Sequence, residues 1–308
     1  MSEIRKQLRT YASSNIYFTL DPEQTPLLRK LLDQAEELDL RTEAGFNDLR
    51  PSFAELVRSR EVHRIIDNEV NMLAHDTRYV PSGSSGTTML LAESPTMVLT
   101  ATILEERHAA SHAIYSPAGN AMFGNLGPSD FPVCLHQRPA NSNIAVFDKT
   151  KVLEIQPPVI IGVGEVLMLS ATEHVPEYRC TGPSLMLKLT SRVYQPLIWV
   201  YDKFTGIPTM ASAGNLHSSR TQMMLRTLAA LEAGSPQGAP DPRSVESVAT
   251  LCKHEFHFVR WGAVQTLCNI DFERGKQALM DAVDDPHPHI VNAARSSVSK
   301  LRQQGLIA

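Results

Sequence analysis

The stretch PVIIGVGEVLMLSATEHVPEYRCTGPSLMLKL, residues 158–189, decides the fold of this chain. Gly162 and Gly164 flank a tight turn, a position where a residue without a Cβ is least costly. The apolar run from Val166 to Leu169 is too short for a buried helix, so it predicts a strand covered on both faces. His174 follows this strand within a few residues. The segment therefore places one imidazole beside an apolar layer.

A second strand is predicted after the loop that follows His174. Leu185, Leu187 and Leu189 alternate with more polar or more flexible side chains. This period of two predicts a half-buried strand. Together, the two strands form an apolar double layer with His174 at its lip.

The composition is that of an ordinary soluble globular protein. The chain has 308 residues, a hydrophobic fraction of 43%, a charged fraction of 20% and a net charge of −4. This balance indicates neither a general nucleic-acid surface nor a membrane surface. No apolar run approaches the roughly 20 residues that span a bilayer, and the N-terminus lacks an apolar signal core. The four cysteines lie far apart without a CxxC pair, which predicts a cytoplasmic location.

Segments with different periodicity predict separate domains. Residues 1–80 carry apolar residues at three-to-four spacing, which predicts helices that cap the sheet domain or, alternatively, form a dimerisation surface. The PSGSSG sequence at 81–86 breaks this pattern. Residues 87–210 hold short apolar segments separated by glycine and proline, which predicts an antiparallel sandwich or barrel. The predicted strands cover 89–92, 97–104, 113–115, 131–135, 144–147, 152–155, 159–161 and 197–201.

The C-terminal segment, residues 217–308, is predicted to be helical and contains an internal repeat. Apolar residues at four-residue spacing recur 31 residues later: Val259, Ala263 and Leu267 are matched by Ile290, Ala294 and Val298. A period near 30 residues is typical of an α-solenoid. The sequence DDPHPHIVNAARSSVSKL, 284–301, resembles a HEAT repeat. This resemblance predicts four helices over 245–303 and a surface that could dock a protein partner.

The central segment resembles the cupin superfamily. Its GEVLMLSATEH sequence, 164–174, has the order of the second cupin motif, with a glycine-acid turn, an apolar strand and a histidine. The usual proline and glycine before the histidine are absent. CLHQRPANSNIAVF, 134–147, stands where the first motif is expected. The resemblance implies a small double-layered β-barrel, so the predicted fold class is α+β, with helices before and after an antiparallel barrel.

The cupin resemblance also implies a metal at the mouth of the barrel. The expected ligands are His136 and His174, with His112 or Cys134 as the third. Fe(II) is the expected ion, and other divalent metals would suit similar ligands. His108 and His112 would share a face if their segment were helical, as paired zinc ligands do, whereas a loop between strands is the alternative.

Substrate contacts are assigned to two further residues. Arg138 would hold a carboxylate or phosphate by a bidentate contact, and Asn143 would accompany it near the usual position of a carboxylate ligand. Two functions stay open. The first is a cupin-like protein that binds a small, anionic molecule, with a mononuclear non-haem iron dioxygenase as the enzyme implied. The second is a non-catalytic binding or regulatory protein whose HEAT-like helices dock a protein partner. A homodimer is a further possible assembly in either case.

Overall fold

The computed structural model describes residues 15–16, 22–76, 78–81, 83–105, 111–180, 182–192, 194–233 and 241–307. The chain divides into two compact units. The first comprises Met1–Ser142 and Asp148–Ser212, and the second comprises Asn143–Phe147 and Ala213–Ala308. The first unit combines helices with sheets, and the named elements of the second are helices. The predicted mixed α+β class is therefore confirmed.

The helices of the first unit cover one side of its largest sheet. In the first of them, Leu28, Leu31 and Ala35 recur at helical spacing and are fully buried, because they form a single apolar stripe. The Thr42 hydroxyl caps the second helix by accepting a hydrogen bond from the Gly45 amide. These helices are α1 (Pro26–Glu37), α2 (Glu43–Asp48), α3 (Arg50–Arg58) and α4 (Glu61–His75).

The strands of the first unit form antiparallel sheets. They are β1 (Asn15–Ile16), β2 (Ser84–Ser85), β3 (Thr88–Glu93), β4 (Met97–Leu104), β5 (Ala113–Tyr115), β6 (Ala121–Gly127), β7 (Phe131–Gln137), β8 (Pro158–Ile161), β9 (Val166–Leu169), β10 (His174–Tyr178), β11 (Ser184–Ser191), β12 (Leu197–Asp202) and β13 (Pro208–Ala213). The first sheet has the order β1-β3-β4-β11-β6-β9, with β2 on β3. The second is β10-β7-β8 and the third is β13-β12-β5. The antiparallel prediction is confirmed, and closure into a barrel stays a prediction.

Two apolar cores lie on opposite faces of the first sheet. On one face, Leu187 and Leu189 pack with the apolar stripes of the helices. On the other face, Met186 packs in a cluster with Phe131 and Val133 of the second sheet. Strand β11 is therefore covered on both sides and is not the half-buried strand that its alternation predicts, because the second sheet covers the side expected to face solvent.

The segment that decides the fold behaves largely as predicted. Gly164 has φ +82°, a conformation that a residue without a Cβ adopts readily. The Glu165 carboxylate closes the turn by accepting a hydrogen bond from the Gly162 amide at 2.9 Å. The turn joins β8 of the second sheet to β9 of the first. The predicted strand Val166–Leu169 is confirmed.

Two predicted strands are not formed, and five strands that the structure contains were not predicted from the sequence. Residues 144–147 form a turn within the second unit, and of 152–155 only Glu154 makes an isolated bridge, with Gln137. The missed strands are β1, β2, β6, β10 and β13. Strand β6 contains Gly124, although glycines in this segment were predicted to separate one strand from the next. Its actual role is close packing, since a Cβ there would overlap Val57 of α3.

The second unit is described by its helices. Ala263 and Ala294 of the repeat are fully buried in two adjoining apolar clusters. Arg260 forms a bidentate ion pair with Asp285, with nitrogen–oxygen distances of 2.7 and 2.8 Å. The helices are α5 (Leu216–Ala233), α6 (Pro242–Leu251), α7 (His257–Ile270), α8 (Phe272–Asp281) and α9 (Pro288–Gln303). Helices occupy the repeat region, and their stacking as a HEAT-like solenoid stays a prediction. Among the described helices, none is both long and apolar enough to cross a membrane.

Candidate functional site

The pairing of β7 with β10 decides which polar side chains meet. Cys134 lies opposite Glu177, and His136 lies opposite Val175. Side chains two apart on a strand share a face, and so do directly paired residues. Cys134, His136 and Glu177 therefore lie together on one face of the second sheet. The other face carries Val133, which packs into the core between the two sheets.

Cys134, His136 and Glu177 form a closed polar cluster, here called the His136 cluster. All three side chains are buried, and one potential ligand atom from each lies within 4.8 Å of the others. His136 Nε2 is 3.0 Å from a Glu177 oxygen, and the Gln156 amide donates to His136 Nδ1 at 3.1 Å. Because Nδ1 accepts a hydrogen bond, the ring proton must sit on Nε2, which donates it to Glu177.

The charges of this cluster are already compensated. Burial alone would raise the pKa of Glu177, but hydrogen bonds from Arg179 and His136 hold it below its usual value. The Arg179 guanidinium donates to the same Glu177 oxygen at 3.0 Å. Burial raises the pKa of the Cys134 thiol, and Arg179 only partly offsets this. The thiol is therefore protonated at neutral pH.

A metal ion does not fit the His136 cluster in this arrangement. The sulfur, nitrogen and oxygen donors are close enough to share an ion and are of types that zinc or iron accepts. For Nε2 to bind a metal, however, its proton would have to move to Nδ1, which faces the Gln156 N–H donor. Two donors would then face each other, and Cys134 would also have to lose its proton. The cluster is consistent with a structural hydrogen-bond network.

The other predicted ligands lie elsewhere in the first unit. His174 is paired with Gln137, so it lies on the opposite face of the second sheet from His136, and its Nδ1 accepts from the Ser170 amide. The structure thus does not bring the two imidazoles together. His112 is exposed, with its ring 5.3 Å from that of Phe204. His108 lies outside the described residues.

Arg138, the predicted substrate anchor, is buried and has no partner. It is 7% exposed, and all three guanidinium nitrogens lack a hydrogen-bond partner within the described chain. Its guanidinium carbon lies 5.7 Å from the Trp199 ring and 5.9 Å from the Tyr201 ring. Burial lowers the pKa of Arg138. Asn143 is exposed and belongs to the second unit, where its side chain accepts from the Ala145 amide.

A cavity of about 610 Å³ is lined by residues of all three sheets, from β6, β9 and β11 of the first, β10 of the second, and β5 and β12 of the third. Its volume is in the range of small-molecule sites, which are mostly apolar with a few polar groups. A second cavity of about 350 Å³ shares three of its lining residues, Tyr178, Lys188 and Thr190. The apolar part of the larger lining includes Ala121, Phe123, Leu169 and Ile198.

Lys188 is the cationic side chain of this cavity lining. It lies on β11 directly opposite Phe123 of β6, and its Nζ is 6.0 Å from the centre of the Phe123 ring. No ion pair or hydrogen bond of its amine occurs with the residues that the structure describes. Burial lowers the pKa of Lys188. The sequence contained a signal for this residue, since Lys188 lies between Leu187 and Leu189 and on the same face as Met186. The alternation instead predicted exposure of that face to solvent.

The comparisons with known proteins give similarity to solved structures that each cover less than half of the chain. No family model matches the sequence, and neither does any curated protein. A cupin superfamily protein from Desulfitobacterium hafniense is 14% identical, with 34% of this chain and 74% of that one covered and a TM-score of 0.22. A hydroquinone 1,2-dioxygenase in complex with Cd²⁺ and 4-hydroxybenzonitrile is also 14% identical, with 33% and 62% covered and a TM-score of 0.25.

A third solved structure is that of HppE in its Fe(II) form. It is 15% identical, with 37% of this chain and 56% of that one covered and a TM-score of 0.22. This chain thus spans less than two thirds of both the HppE and the hydroquinone dioxygenase chains. These identities and TM-scores are too low to establish membership of a family or an activity.

Proposed function

We propose that this protein binds a small anionic molecule in the 610 Å³ cavity lined by its three sheets, with the Lys188 ammonium as the positive partner. The observation that carries this proposal is a lysine in the lining of a 610 Å³ cavity with no anionic partner in the described chain. Glu177 also contributes to the lining, but its carboxylate already accepts from His136 and Arg179. A bound anion would complete the charge balance.

The physical reason is the cost of an isolated charge in apolar surroundings. Two opposite charges 4 Å apart attract by about 4 kcal/mol at an effective dielectric of 20, a value suited to partly buried sites. An unpaired ammonium forgoes this attraction while it still loses water. Phe123 compensates only part of the loss, since a cation near an aromatic ring gains about 0.5–2 kcal/mol. A ligand carboxylate or phosphate would therefore bind preferentially at Lys188.

A melting-temperature series tests the proposal. Lactate, malonate and inorganic phosphate are added in turn to the wild type, to Lys188→Met and to Lys188→Arg. At least one anion should raise the melting temperature of the wild type and of the arginine variant, which keeps the charge. The shift should disappear in Lys188→Met and persist in Lys253→Met, which removes an exposed lysine. Equal shifts in the wild type and Lys188→Met would refute the proposal.

A metal centre in the His136 cluster is the second candidate. Three potential ligand atoms within 4.8 Å of one another favour this centre. The proton on His136 Nε2 and the protonated thiol of Cys134 oppose it, because both atoms would have to lose their protons to bind a metal. Fe(II) and a dioxygenase activity would follow only from such a centre. The test is elemental analysis of protein that was expressed with added iron and purified without a histidine tag. About one ion per chain, lost in Cys134→Ser, would establish the centre, and metal-free protein would exclude it.

Docking of a protein partner is the non-catalytic alternative. Its basis in the structure is a row of exposed apolar side chains on α5, where Leu216, Met223, Met224 and Leu231 are each more than 60% exposed. A homodimer is the simplest partner. Sedimentation of the wild type and of Met224→Glu tests it, since a dimer formed through α5 should dissociate in the variant. If the wild type sediments as a monomer at all concentrations tested, a homodimer is excluded.

A further inference from the structure

The position of Lys188 is fixed while its amine is free. Strand β11 is hydrogen-bonded on both sides, to β4 and to β6, so the backbone of Lys188 lies in the centre of the first sheet. Lys188 and Phe123 both line the cavity, and the Lys188 amine lies 6.0 Å from the centre of the Phe123 ring. Within the described chain this amine forms no ion pair. Such an amine is available to react with a ligand rather than being held by the protein.

Reactivity of a lysine requires its neutral form. An ordinary lysine, with a pKa of about 10.4, is almost entirely protonated at neutral pH. Burial lowers the pKa of Lys188 and therefore raises the fraction of neutral amine. Desolvation in an apolar pocket is a recognised way to activate a lysine as a nucleophile toward carbonyl compounds.

We infer that Lys188 forms an imine with the carbonyl carbon of a small 2-oxo acid held in the cavity, an inference that rests on the proposed binding of anions there. A 2-oxo acid carries both groups that the site requires. Its carboxylate pairs with the Lys188 ammonium on arrival, and its ketone lies on the adjacent carbon. The protonated imine keeps the positive charge, so the same carboxylate stays paired with Lys188 after the reaction.

The step balances without an oxidant or a reductant. The Lys188 ammonium first releases one proton to solvent. The nitrogen lone pair then forms a bond to the carbonyl carbon while the π electrons move to oxygen, which takes up a second proton from the nitrogen. The resulting carbinolamine loses this oxygen as water, and a carbon–nitrogen double bond forms. The proton released to solvent returns to this oxygen as it leaves, and the third proton stays on the imine nitrogen. Thr100, Thr102 and Thr190 line the adjoining cavity together with Lys188, and their hydroxyls offer hydrogen bonds to the released water.

The first experiment needs only the wild-type protein. It is incubated with pyruvate and sodium cyanoborohydride, which reduces imines, and the modified lysines are mapped by peptide mass spectrometry. Lys188 should carry the reduced pyruvate adduct at least tenfold more often than the exposed Lys253. Lactate, which has the carboxylate but no ketone, should protect Lys188. Adducts spread evenly over exposed lysines would overturn the inference.

A variant separates the imine from anion binding. Lys188→Arg keeps the positive charge but cannot form the imine, so it should retain a melting shift with lactate and lose the adduct at this position. If lactate shifts the melting of the wild type and pyruvate leaves no adduct on Lys188, the imine is refuted and anion binding stands. If neither lactate nor pyruvate has any effect on the wild type, both are refuted. If Lys188→Arg does not fold, the wild-type map decides.

Discussion

The His136 cluster and the cavity around Lys188 differ in whether their charged groups have partners of opposite charge. In the cluster, Glu177 accepts hydrogen bonds from His136 and Arg179, and His136 is satisfied at both ring nitrogens. In the cavity, Lys188 has an aromatic neighbour but no anionic partner in the described chain. The first arrangement is complete without a ligand, and the second is not. An uncompensated charge beside open space is thus a better guide to a binding site than a group of histidine, cysteine and glutamate.

Arg138 combines features of both regions. It is buried to the same extent as Glu177, yet its guanidinium makes no hydrogen bond with the described residues, and neither does the Lys188 amine. Its aromatic neighbours Trp199 and Tyr201 supply cation–π contact. Arg138 therefore remains a proposed second anion anchor.

The largest expected effect on the free energy of unfolding comes from removal of the carboxylate of the His136 cluster. Glu177→Ala leaves the buried His136 N–H without an acceptor, which should lower the free energy of unfolding by about 1–3 kcal/mol. Urea unfolding followed by circular dichroism measures this. Glu173→Ala, which removes an exposed carboxylate on the turn before β10, is the matched control and should change little. A loss below about 1 kcal/mol for Glu177→Ala would show that the cluster is not a structural network.

Removal of the charge in the cavity should raise the free energy of unfolding, whereas removal of Glu177 should lower it. Lys188→Met replaces an unpaired ammonium by an apolar chain of similar length, which should raise the free energy of unfolding by about 1 kcal/mol. The same urea experiment, without added anions, provides the measurement. Lys188→Arg, which keeps the charge, should show no such gain. If Lys188→Met destabilises the protein by as much as Glu177→Ala, the comparison between the two regions fails.

The smallest expected effect is the pH dependence of the stability that Lys188→Met gains over the wild type. Because the folded-state pKa of Lys188 is lowered, the unfolded chain binds a proton that the folded chain holds less strongly. The wild type therefore bears the full penalty below the folded pKa and loses it as the pH rises to the unfolded value of about 10.4. The difference in melting temperature between Lys188→Met and the wild type should shrink as the pH rises from 7 to 10.5. A difference that grows would contradict the assigned direction of the pKa shift.

Local signals in the sequence account for what could be predicted. Gly162 and Gly164 identify the turn, and the apolar run identifies strand β9, because both depend only on neighbouring residues. Cys134 and His136 share a face as their spacing requires, but the position of Glu177 depends on pairing with a strand about forty residues away. A slip of one residue would reverse every face of that strand. The sequence alone therefore cannot decide whether His174 or Glu177 meets His136.

The side on which Lys188 lies illustrates the same limit. Alternation places Lys188 and Met186 on one face of β11 and the leucines on the other. Which face meets solvent depends on what covers the sheet, and the helices cover the leucines while the second sheet covers Met186. This is a property of long-range packing. The lysine is thereby placed at a cavity, where the sequence predicted an exposed surface.

Titration calorimetry with lactate tests most directly whether the cavity, rather than the His136 cluster, holds the ligand. The proteins compared are the wild type, Lys188→Met and Cys134→Ser, whose hydroxyl can still donate to Glu177. The wild type and Cys134→Ser should bind lactate with equal affinity, and Lys188→Met should show no heat of binding. Undiminished binding by Lys188→Met, or its loss in Cys134→Ser alone, would contradict the assignment of the site to the cavity.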